Sequence, residues 1–513
     1  MGVVRNAFTV GAFTLFSRVV GFIRECMMAF CLGAGVYSDA LLVAIRVANT
    51  FRRIFAEGAF NASFLPRFSK ILHKKGMDDA NATLSDVFSA LLLILIPFSI
   101  IIVVIFPSFL KLLVSGFDLL GEKFGLTVVL GRICFPYLIF ISITSLFCGV
   151  LNTINKFALS AAVHSLLSIF TMFGLLIGYF FNLSHLVTVH IVSWLVFLSG
   201  IAQSYLLFAS ISRQGFRISF RLRCFTAPVK NIMKNMIPGI IGAGVWQLNL
   251  LVDTSISSYL PTGTITCVNL ADRLNQFPLG TLGIALSTAL LPSLSKLIEH
   301  REYDKATQEL EKGLLFAFFL AFFATTVLIA LNEQSVSVAF QRGMFQAEQV
   351  RITACMVSGF AVGLPAYILT KVFSTLYFAA GDTKSPVIFG IFSVVLNIIF
   401  LILLVPALKY FGLALCTSLS AISNALMLMY FSGRKMVVRF SKAFWYKIML
   451  QVIAALAIYF VLSKLADLYW YFGLGEESIK WLIYFGFLIC AAIIFSAIIG
   501  TGLYLMQIFS KNQ

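Results

Sequence analysis

Charge is what this chain has least of. Only 12% of its 513 residues are Asp, Glu, Lys or Arg, against about 25% in a soluble protein, which excludes a free-standing water-soluble domain. Acidic residues are the scarcer sign, 21 against 38 basic ones. The nine cysteines are scattered singly with no Cys-x-x-Cys pair, and His73, His164, His185, His190 and His300 form no metal spacing. That argues against a metal cluster or a redox dithiol. A nucleophile–base pair is missing, and so is a phosphate-cradling loop. Gly33-Ala-Gly35 and the glycines from Gly239 to Gly244 read as helix bends or packing contacts. The alternating ten-residue segments of an outer-membrane barrel are absent. The first apolar stretch carries Arg18 and Arg24 without a small-residue cleavage site, so it is expected to stay as a helix and not to be removed as a signal. Asn6 breaks the myristoylation pattern.

What is present is apolar length. Hydrophobic residues make up 60% of the chain, including 53 Phe. A bilayer-spanning helix needs about 20 apolar residues. Fourteen such spans are predicted, over 7–32, 37–66, 84–113, 126–153, 158–181, 187–211, 229–260, 264–294, 311–332, 348–380, 385–406, 412–433, 444–465 and 480–509. The fold class is therefore an all-α polytopic membrane protein. With the N-terminus inside, the cytoplasmic loops and ends hold 23 Lys and Arg and the opposite loops seven; the other eight of the 38 lie within spans. The positive-inside rule puts both termini in the cytoplasm. The net charge of +17 is thus spread over alternate loops, and no nucleic-acid partner is expected. The basic loop 212–228 is read as adhering to the anionic leaflet.

The chain repeats itself. Asn49-Thr-Phe51 recurs as Asn275-Gln-Phe277, and Phe64-Leu-Pro-Arg-Phe-Ser-Lys70 as Leu290-Leu-Pro-Ser-Leu-Ser-Lys296, both at an offset of 226. Leu151-Asn-Thr-Ile-Asn-Lys156 matches Ala379-Ala-Gly-Asp-Thr-Lys384 at an offset of 228. An even number of spans separates the copies, so the repeat is parallel, with two pseudo-symmetric six-helix lobes and a site expected between them near the midplane. The boundaries are 1–212 for the first lobe, 213–440 for the second and 441–513 for two extra helices. The extra pair is read either as an apolar groove for a lipid tail or as ordinary packing against lipid.

Six arginines lie inside apolar spans: Arg18, Arg24, Arg46, Arg52, Arg53 and Arg273. A charge at the bilayer centre costs roughly 2.5–3.5 kcal/mol on insertion scales, so these residues face counter-ions or a water-filled cavity. Asp39, Arg46, Arg53 and Glu57 are 7, 7 and 4 residues apart and share a helix face within about 40°, with Asn49 beside them and Arg52 further round. Ser17, Arg18, Gly21, Arg24 and Glu25 crowd two turns of the first span, and Asp272 and Arg273 stand at the repeat position of Arg46. Within spans, eight basic residues face five acidic ones, Glu25, Asp39, Glu57, Asp253 and Asp272. One reading is mutual neutralisation, Asp39 with Arg46 and Glu57 with Arg53 or Arg24. It leaves arginines over, and guanidinium forks match phosphate oxygens bidentately, so the preferred reading is a phosphate or diphosphate site. Arg46 and Asp272 could pair across the lobes as a latch, or Asp272 could serve a helix cap. Asp39 reads as a gate residue near the periplasmic end of its helix, or as the cap of that helix.

The runs Ser17-Arg-Val-Val-Gly-Phe-Ile-Arg24, Ser38-Asp-Ala40, Arg46-Val-Ala-Asn-Thr-Phe-Arg-Arg-Ile-Phe-Ala-Glu-Gly-Ala-Phe60 and Ala271-Asp-Arg-Leu-Asn-Gln-Phe-Pro-Leu-Gly280 resemble the MurJ (MviN) family, within the MOP exporter superfamily of MATE-like fold. The resemblance covers the whole chain. It implies a transporter, not an enzyme, that flips the peptidoglycan precursor lipid II (undecaprenyl-diphosphate-MurNAc-pentapeptide-GlcNAc) across the bacterial inner membrane by alternating access. It implies cavity residues at Ser17, Arg18, Arg24, Asp39, Asn49, Arg52, Glu57 and Arg273. It also implies membrane lipids and the cell-wall synthesis machinery as partners and a monomeric, cofactor-free protein. Some members hold sodium between an Asp on the seventh span and an Asn-x-x-x-Asp pair on the eleventh. Here Asp253 and Asn397 are present but position 401 is Leu, and a hard cation prefers several oxygen ligands, so a sodium site would be weak.

Without a nucleotide motif, energy is expected from the membrane potential or an ion gradient. An inside-negative potential drives anions outward by about 2.3 kcal/mol per charge per 100 mV. Three rival readings stand beside this one. They are a flippase for another prenyl-diphosphate-linked glycan, a cation-coupled multidrug exporter of the same superfamily, which would want an acidic cavity, and a non-transporting scaffold, which the intramembrane arginines argue against.

Overall fold

The computed structural model describes residues 2–54, 58–435, 440–471 and 486. Among the described residues every element is helical. In a bilayer, water cannot satisfy backbone polar groups, and a helix satisfies them within one segment. The elements are α1 (Gly2–Leu32), α2 (Val36–Arg52), α3 (Gly58–Lys75), α4 (Met77–Leu113), α5 (Glu122–Cys134), α6 (Tyr137–Thr153), α7 (Phe157–Ala162), α8 (Ser165–Phe180), α9 (His185–Ser212), α10 (Ala227–Ser257), α11 (Thr264–Glu299), α12 (Tyr303–Ala330), α13 (Asn332–Phe340), α14 (Ala347–Ala361), α15 (Leu364–Ala379), α16 (Lys384–Lys435) and α17 (Lys442–Tyr471). Thirteen of the fourteen predicted spans fall on these helices. The last, 480–509, lies outside the described residues apart from Gly486.

The spans differ in detail. The stretch 37–66 is shared by α2 and α3, with 55–57 outside the described residues. The span 126–153 lies within one 32-residue span, Glu122–Thr153, made of α5 and α6 with a turn at Phe135-Pro136, where Pro136 has no amide to continue the ladder. The predicted pair 385–406 and 412–433 is present as two helical stretches within α16 that meet at a kink at Lys409, φ 46° and ψ −119°. Among the described residues, six helices are long, apolar and weakly charged enough to cross a membrane by composition alone, or seven if the bent pair α14–α15 is one span. None of α1, α2, α10 and α11 is among them. Those four carry Arg18, Arg24, Asp39, Arg46, Arg52, Asp253, Asp272 and Arg273.

The repeat is visible in the element order. α1 and α10 are both 31 residues long, starting at Gly2 and Ala227. Pro66 within α3 and Pro292 within α11 keep the offset of the repeated strings. The break between α5 and α6, at 135–136, and that between α14 and α15, at 362–363, hold nearly the same separation.

The chain forms two compact units. The first comprises Met1–Thr266 with Arg342–Phe345, the second Cys267–Gln341 and Gln346–Gln513. In the first unit α2 packs on α5, α6 and α9, burying Leu41, Val43, Val47, Leu130 and Val192. A second core there joins α3, α4, α6 and α10 through Phe64, Phe68, Leu84, Phe147 and Ile232. In the second unit α12 packs on α15 and α17, and α16 on α14 and α15. One face of α17 buries Ala454, Ile458 and Leu462 against Val327 and Leu331, while Ile453, Leu456 and Phe460 stay exposed. That division fits a helix with one side on protein and one on lipid. Arg132 on α5 donates from Nε to the Val103 carbonyl of α4 at 3.0 Å.

Candidate functional site

On α1 the charged turn opens at Ser17, half-buried, and Arg18, exposed. Arg24 is largely buried and pairs with its neighbour Glu25, which is 1% exposed. The pair satisfies one nitrogen of the guanidinium. Arg24 Nε is buried with no hydrogen-bond partner among the described residues, so the group keeps donor capacity in a place where donors are costly to leave unmet. Asn49 Oδ1 on α2 is buried in the same condition.

Asp39 is held by four donors. It is fully buried. Lys123 Nζ, at the start of α5, donates to Oδ2 at 2.7 Å, and the Gly263 amide donates to the same oxygen at 2.7 Å. The Thr266 amide and hydroxyl donate to Oδ1 at 2.9 and 2.6 Å. Gly263 and Thr266 frame the first turn of α11, so the carboxylate caps that helix, where unpaired amides and the helix dipole favour an anion. This corrects both local readings of Asp39. It does not cap its own helix: the Gly35 amide at the head of α2 donates to Ser38 Oγ at 2.9 Å. Nor does Arg46 supply its partner, because the four donors above occupy the carboxylate. Arg46 reaches α10 instead, donating to Thr254 Oγ1 at 2.7 Å. Lys123 also lies 4.2 Å from the centre of the Phe117 ring, a cation–π contact that steadies the ammonium.

Backbone packs on backbone around this carboxylate. The amide of Gly116, after α4, donates to Ser258 Oγ at 3.0 Å, and the Tyr259 hydroxyl donates to Ser115 Oγ at 2.9 Å. A Cβ on Gly116 would stand 2.6 Å from the Ser258 carbonyl carbon and the Tyr259 nitrogen. Gly343, its counterpart in the second copy, packs in the same way against the Phe30 carbonyl, and the Met344 amide donates to that oxygen at 3.0 Å. Gly343 has φ +59°, a left-handed conformation that suits glycine. The two corners are repeat-related. Each joins a loop of one copy to a helix end of the other.

Arg52 and Arg53 close α2, Arg52 half-buried and Arg53 exposed. Glu57 lies outside the described residues. In the second unit Asp272 and Arg273 are half-buried on α11, and Gln276 donates to Asp272 one turn on. Asp253 is half-buried on α10, its carbonyl accepting from Ser257 Oγ at 2.6 Å. Asn397 is fully buried on α16, with Leu401 buried one turn beyond.

The structure thus gathers Arg24, Glu25, Asp39, Arg46 and Asn49 within one unit. Sequence reasoning missed Lys123, Thr254 and Thr266 as partners, because a lone Lys in a loop and two Thr in apolar helices carry no local signal. The glycine corners did carry one: Gly116 and Gly343 nearly keep the offset of the repeat.

A family model described as lipid II flippase MurJ matches residues 28–477. The chain is 34% identical over 429 residues to the probable lipid II flippase MurJ of Rhizobium tropici, covering 83% of this chain and 80% of that one. It is 32% identical over 460 residues to the lipid II flippase MurJ of Burkholderia cenocepacia, covering 89% and 88%. Among solved structures, a lipid II flippase MurJ in an inward closed conformation is similar with TM-score 0.80 at 24% identity, over 96% of this chain and 99% of that one. An inward-facing MATE multidrug transporter of the MOP superfamily is similar with TM-score 0.71 at 12% identity, over 84% and 98%.

Proposed function

This chain belongs to the lipid II flippase MurJ family, and on that premise we propose that it carries lipid II from the cytoplasmic to the periplasmic leaflet of the bacterial inner membrane by alternating access. It is a transporter, and a multi-pass inner-membrane protein. The observation that carries the reading is the family match over most of the chain together with the arginines carried by α1, α2 and α11. The direct test is depletion of the protein in its host. Lipid II, and no other prenyl-linked sugar, should accumulate on the cytoplasmic face. Accumulation of a different lipid-linked glycan would reassign the substrate.

In this reading the diphosphate is bound by Ser17, Arg18, Arg24, Asn49, Arg52, Arg53 and Arg273. Glu57 and Asp272 set ion pairs there. The prenyl tail stays in lipid. The uncommitted Nε of Arg24 and the buried Asn49 oxygen support a polar occupant. The end built from Asp39, Lys123, the head of α11 and the two glycine corners is the periplasmic side, closed. Opening it separates Asp39 from its donors. A buried ion pair is costly to break from one side, so this capping site favours the state in which the periplasmic end is shut. Both termini are cytoplasmic, as the loop charges argue. In a cysteine-free background, a cysteine at 342 should label from the periplasm and one at 221 should not; the reverse pattern would overturn this orientation.

The driving force is the membrane potential acting on the anionic head group. Asp253 and Asn397 offer one carboxylate and one amide, and the neighbouring Leu401 supplies no oxygen, so sodium would be held weakly. Flipping should collapse when an ionophore abolishes the potential and persist when sodium is replaced by another monovalent cation at constant potential. Strict sodium dependence would contradict this part of the reading.

A further inference from the structure

Between α9 and α10 a turn at 213–215 leads into a strap over residues 216–226, and side chains of α4 hold it in register. The amides of Arg217, Ser219 and Arg221 donate to Asn81 Oδ1 at 3.1 Å, Ser85 Oγ at 3.1 Å and Ser89 Oγ at 2.8 Å. Two residues of extended chain advance about 6.6 Å and four residues of helix about 6.0 Å. Every second strap amide therefore meets every fourth helix side chain. Phe216, Ile218 and Cys224 turn into the core of the first unit. Asp86 accepts from the Thr226 hydroxyl at 3.0 Å and from Arg221 at 3.5 Å. Outward the strap shows Phe220, Leu222 and Phe225, which are 54%, 75% and 45% exposed, interleaved with exposed Arg217, Arg221 and Arg223.

The strap sits at a definable depth. The charge-free run of α4 lies between Asp86 and Lys111. A hydrocarbon core of about 30 Å takes about 20 helical residues. Centred on that run, it begins near Ser89, where the strap presents Phe220 and Leu222. Apolar side chains at that level need something other than water beside them, and arginines around them need anions. We infer that the strap is a docking strip for anionic phospholipid headgroups of the cytoplasmic leaflet. Phe220 and Leu222 seat at the interface, and Arg217 and Arg223 lie on the phosphates, where guanidinium geometry suits them. The side-chain ladder from α4 fixes the backbone beforehand, so little ordering cost falls on lipid binding. A soluble polyanion would match the arginines but leave the apolar residues in water, which favours lipid. The inference rests on the proposed cytoplasmic side of this loop.

Hydrogen exchange of the intact protein in nanodiscs tests it. In discs of phosphatidylcholine containing phosphatidylglycerol, amides of residues 218–226 should exchange several-fold more slowly than in pure phosphatidylcholine. The variant R217Q/R223Q keeps the α4 ladder, which uses backbone amides, and should lose the difference while exchange elsewhere stays unchanged. Inorganic phosphate added to pure phosphatidylcholine discs should not reproduce the slowing. Equal exchange in the two lipids, a phosphatidylglycerol effect intact in R217Q/R223Q, or reproduction by free phosphate would each overturn the assignment. Nanodiscs expose both faces, so this result is independent of the cysteine-labelling test at 221, which reports the orientation alone.

Discussion

Helix α2 and the first half of α11 stand at matching places in the repeat, yet only α2 is charged along its length. An offset of 226 carries Asp39, Arg46, Asn49, Arg52 and Arg53 onto Ile265, Asp272, Asn275, Pro278 and Leu279. The same step from Arg18, Arg24 and Glu25 gives Gly244, Leu250 and Leu251. The frame was kept in both copies: the long first helix, the proline within the second, the break in the fourth span and the glycine corner. The ion-bearing chemistry was kept largely in one. A single asymmetric substrate does not need two identical half-sites, whereas a closing seam gains from contacts on both sides of the axis. Damage to the charged residues should therefore be one-sided, and damage to the corners two-sided.

The largest effect is expected at the arginines. Arg24→Ala and Arg52→Ala should each lower lipid II translocation by about 100-fold or more, the scale on which loss of one partner of a buried charge contact costs roughly 2–5 kcal/mol, while membrane insertion is retained. Lysine should substitute poorly where the contact is bidentate. The counterpart change Leu250→Ala should cost far less. Growth of sole-copy strains, with protein abundance measured in the membrane fraction, checks this. Normal growth of both arginine variants would end the asymmetric picture.

The corners come next. An alanine at Gly116 meets backbone at 2.6 Å, and overpacking of that kind costs about 1–3 kcal/mol. Gly343→Ala should cost more, because its left-handed backbone adds about 1–2 kcal/mol. Both should widen the distance between spin labels at the exposed positions 120 and 262, with Gly343→Ala the stronger. Opposite shifts in the two variants would deny that the corners close the same end. Asp39→Asn keeps some hydrogen bonding but removes the charge facing Lys123. It should move the same label distances toward the open population by ~1–3 kcal/mol, and an unchanged distribution would reduce Asp39 to a cap of α11.

The smallest effect is chemical. Cys224 lies in the strap that joins the two copies, and burial pushes its thiol up, with the Asp86 charge adding to the shift. Less thiolate is present at pH 8 than for an ordinary cysteine, so alkylation there should be slow. Fast labelling of Cys224 would show that the strap leaves α4 readily.

Much of this was legible in the sequence because the bilayer imposes simple rules. Apolar length marked the helices, and repeated Asn-x-Phe and Leu-Pro-x-x-Ser-Lys strings marked the duplication. Of the stripe of Asp39, Arg46, Arg53 and Glu57 read from spacing, Asp39 is buried, Arg46 half-buried and Arg53 exposed, while Glu57 lies outside the described residues. The partners of Asp39 were not legible. Whether Asp39 meets Arg46, Lys123 or a helix terminus depends on which elements pack together, and helical periodicity says only which face is buried. The turn inside the fourth span was missed for a related reason: Pro136 could equally have kinked a continuous helix, and neighbouring helices decide the path. The α4 ladder under the strap used Asn and Ser residues that read as ordinary helix surface.

The central claim is that arginines of the first repeat grip a diphosphate. Binding of purified lipid II to the detergent-solubilised protein, measured for wild type and for Arg24→Ala/Arg52→Ala and set against the corresponding uncharged polyprenol, addresses it most directly. The account predicts that wild type prefers the diphosphate lipid strongly and that the double variant loses about 100-fold or more of that affinity. Equal affinity of the two proteins for lipid II would contradict it.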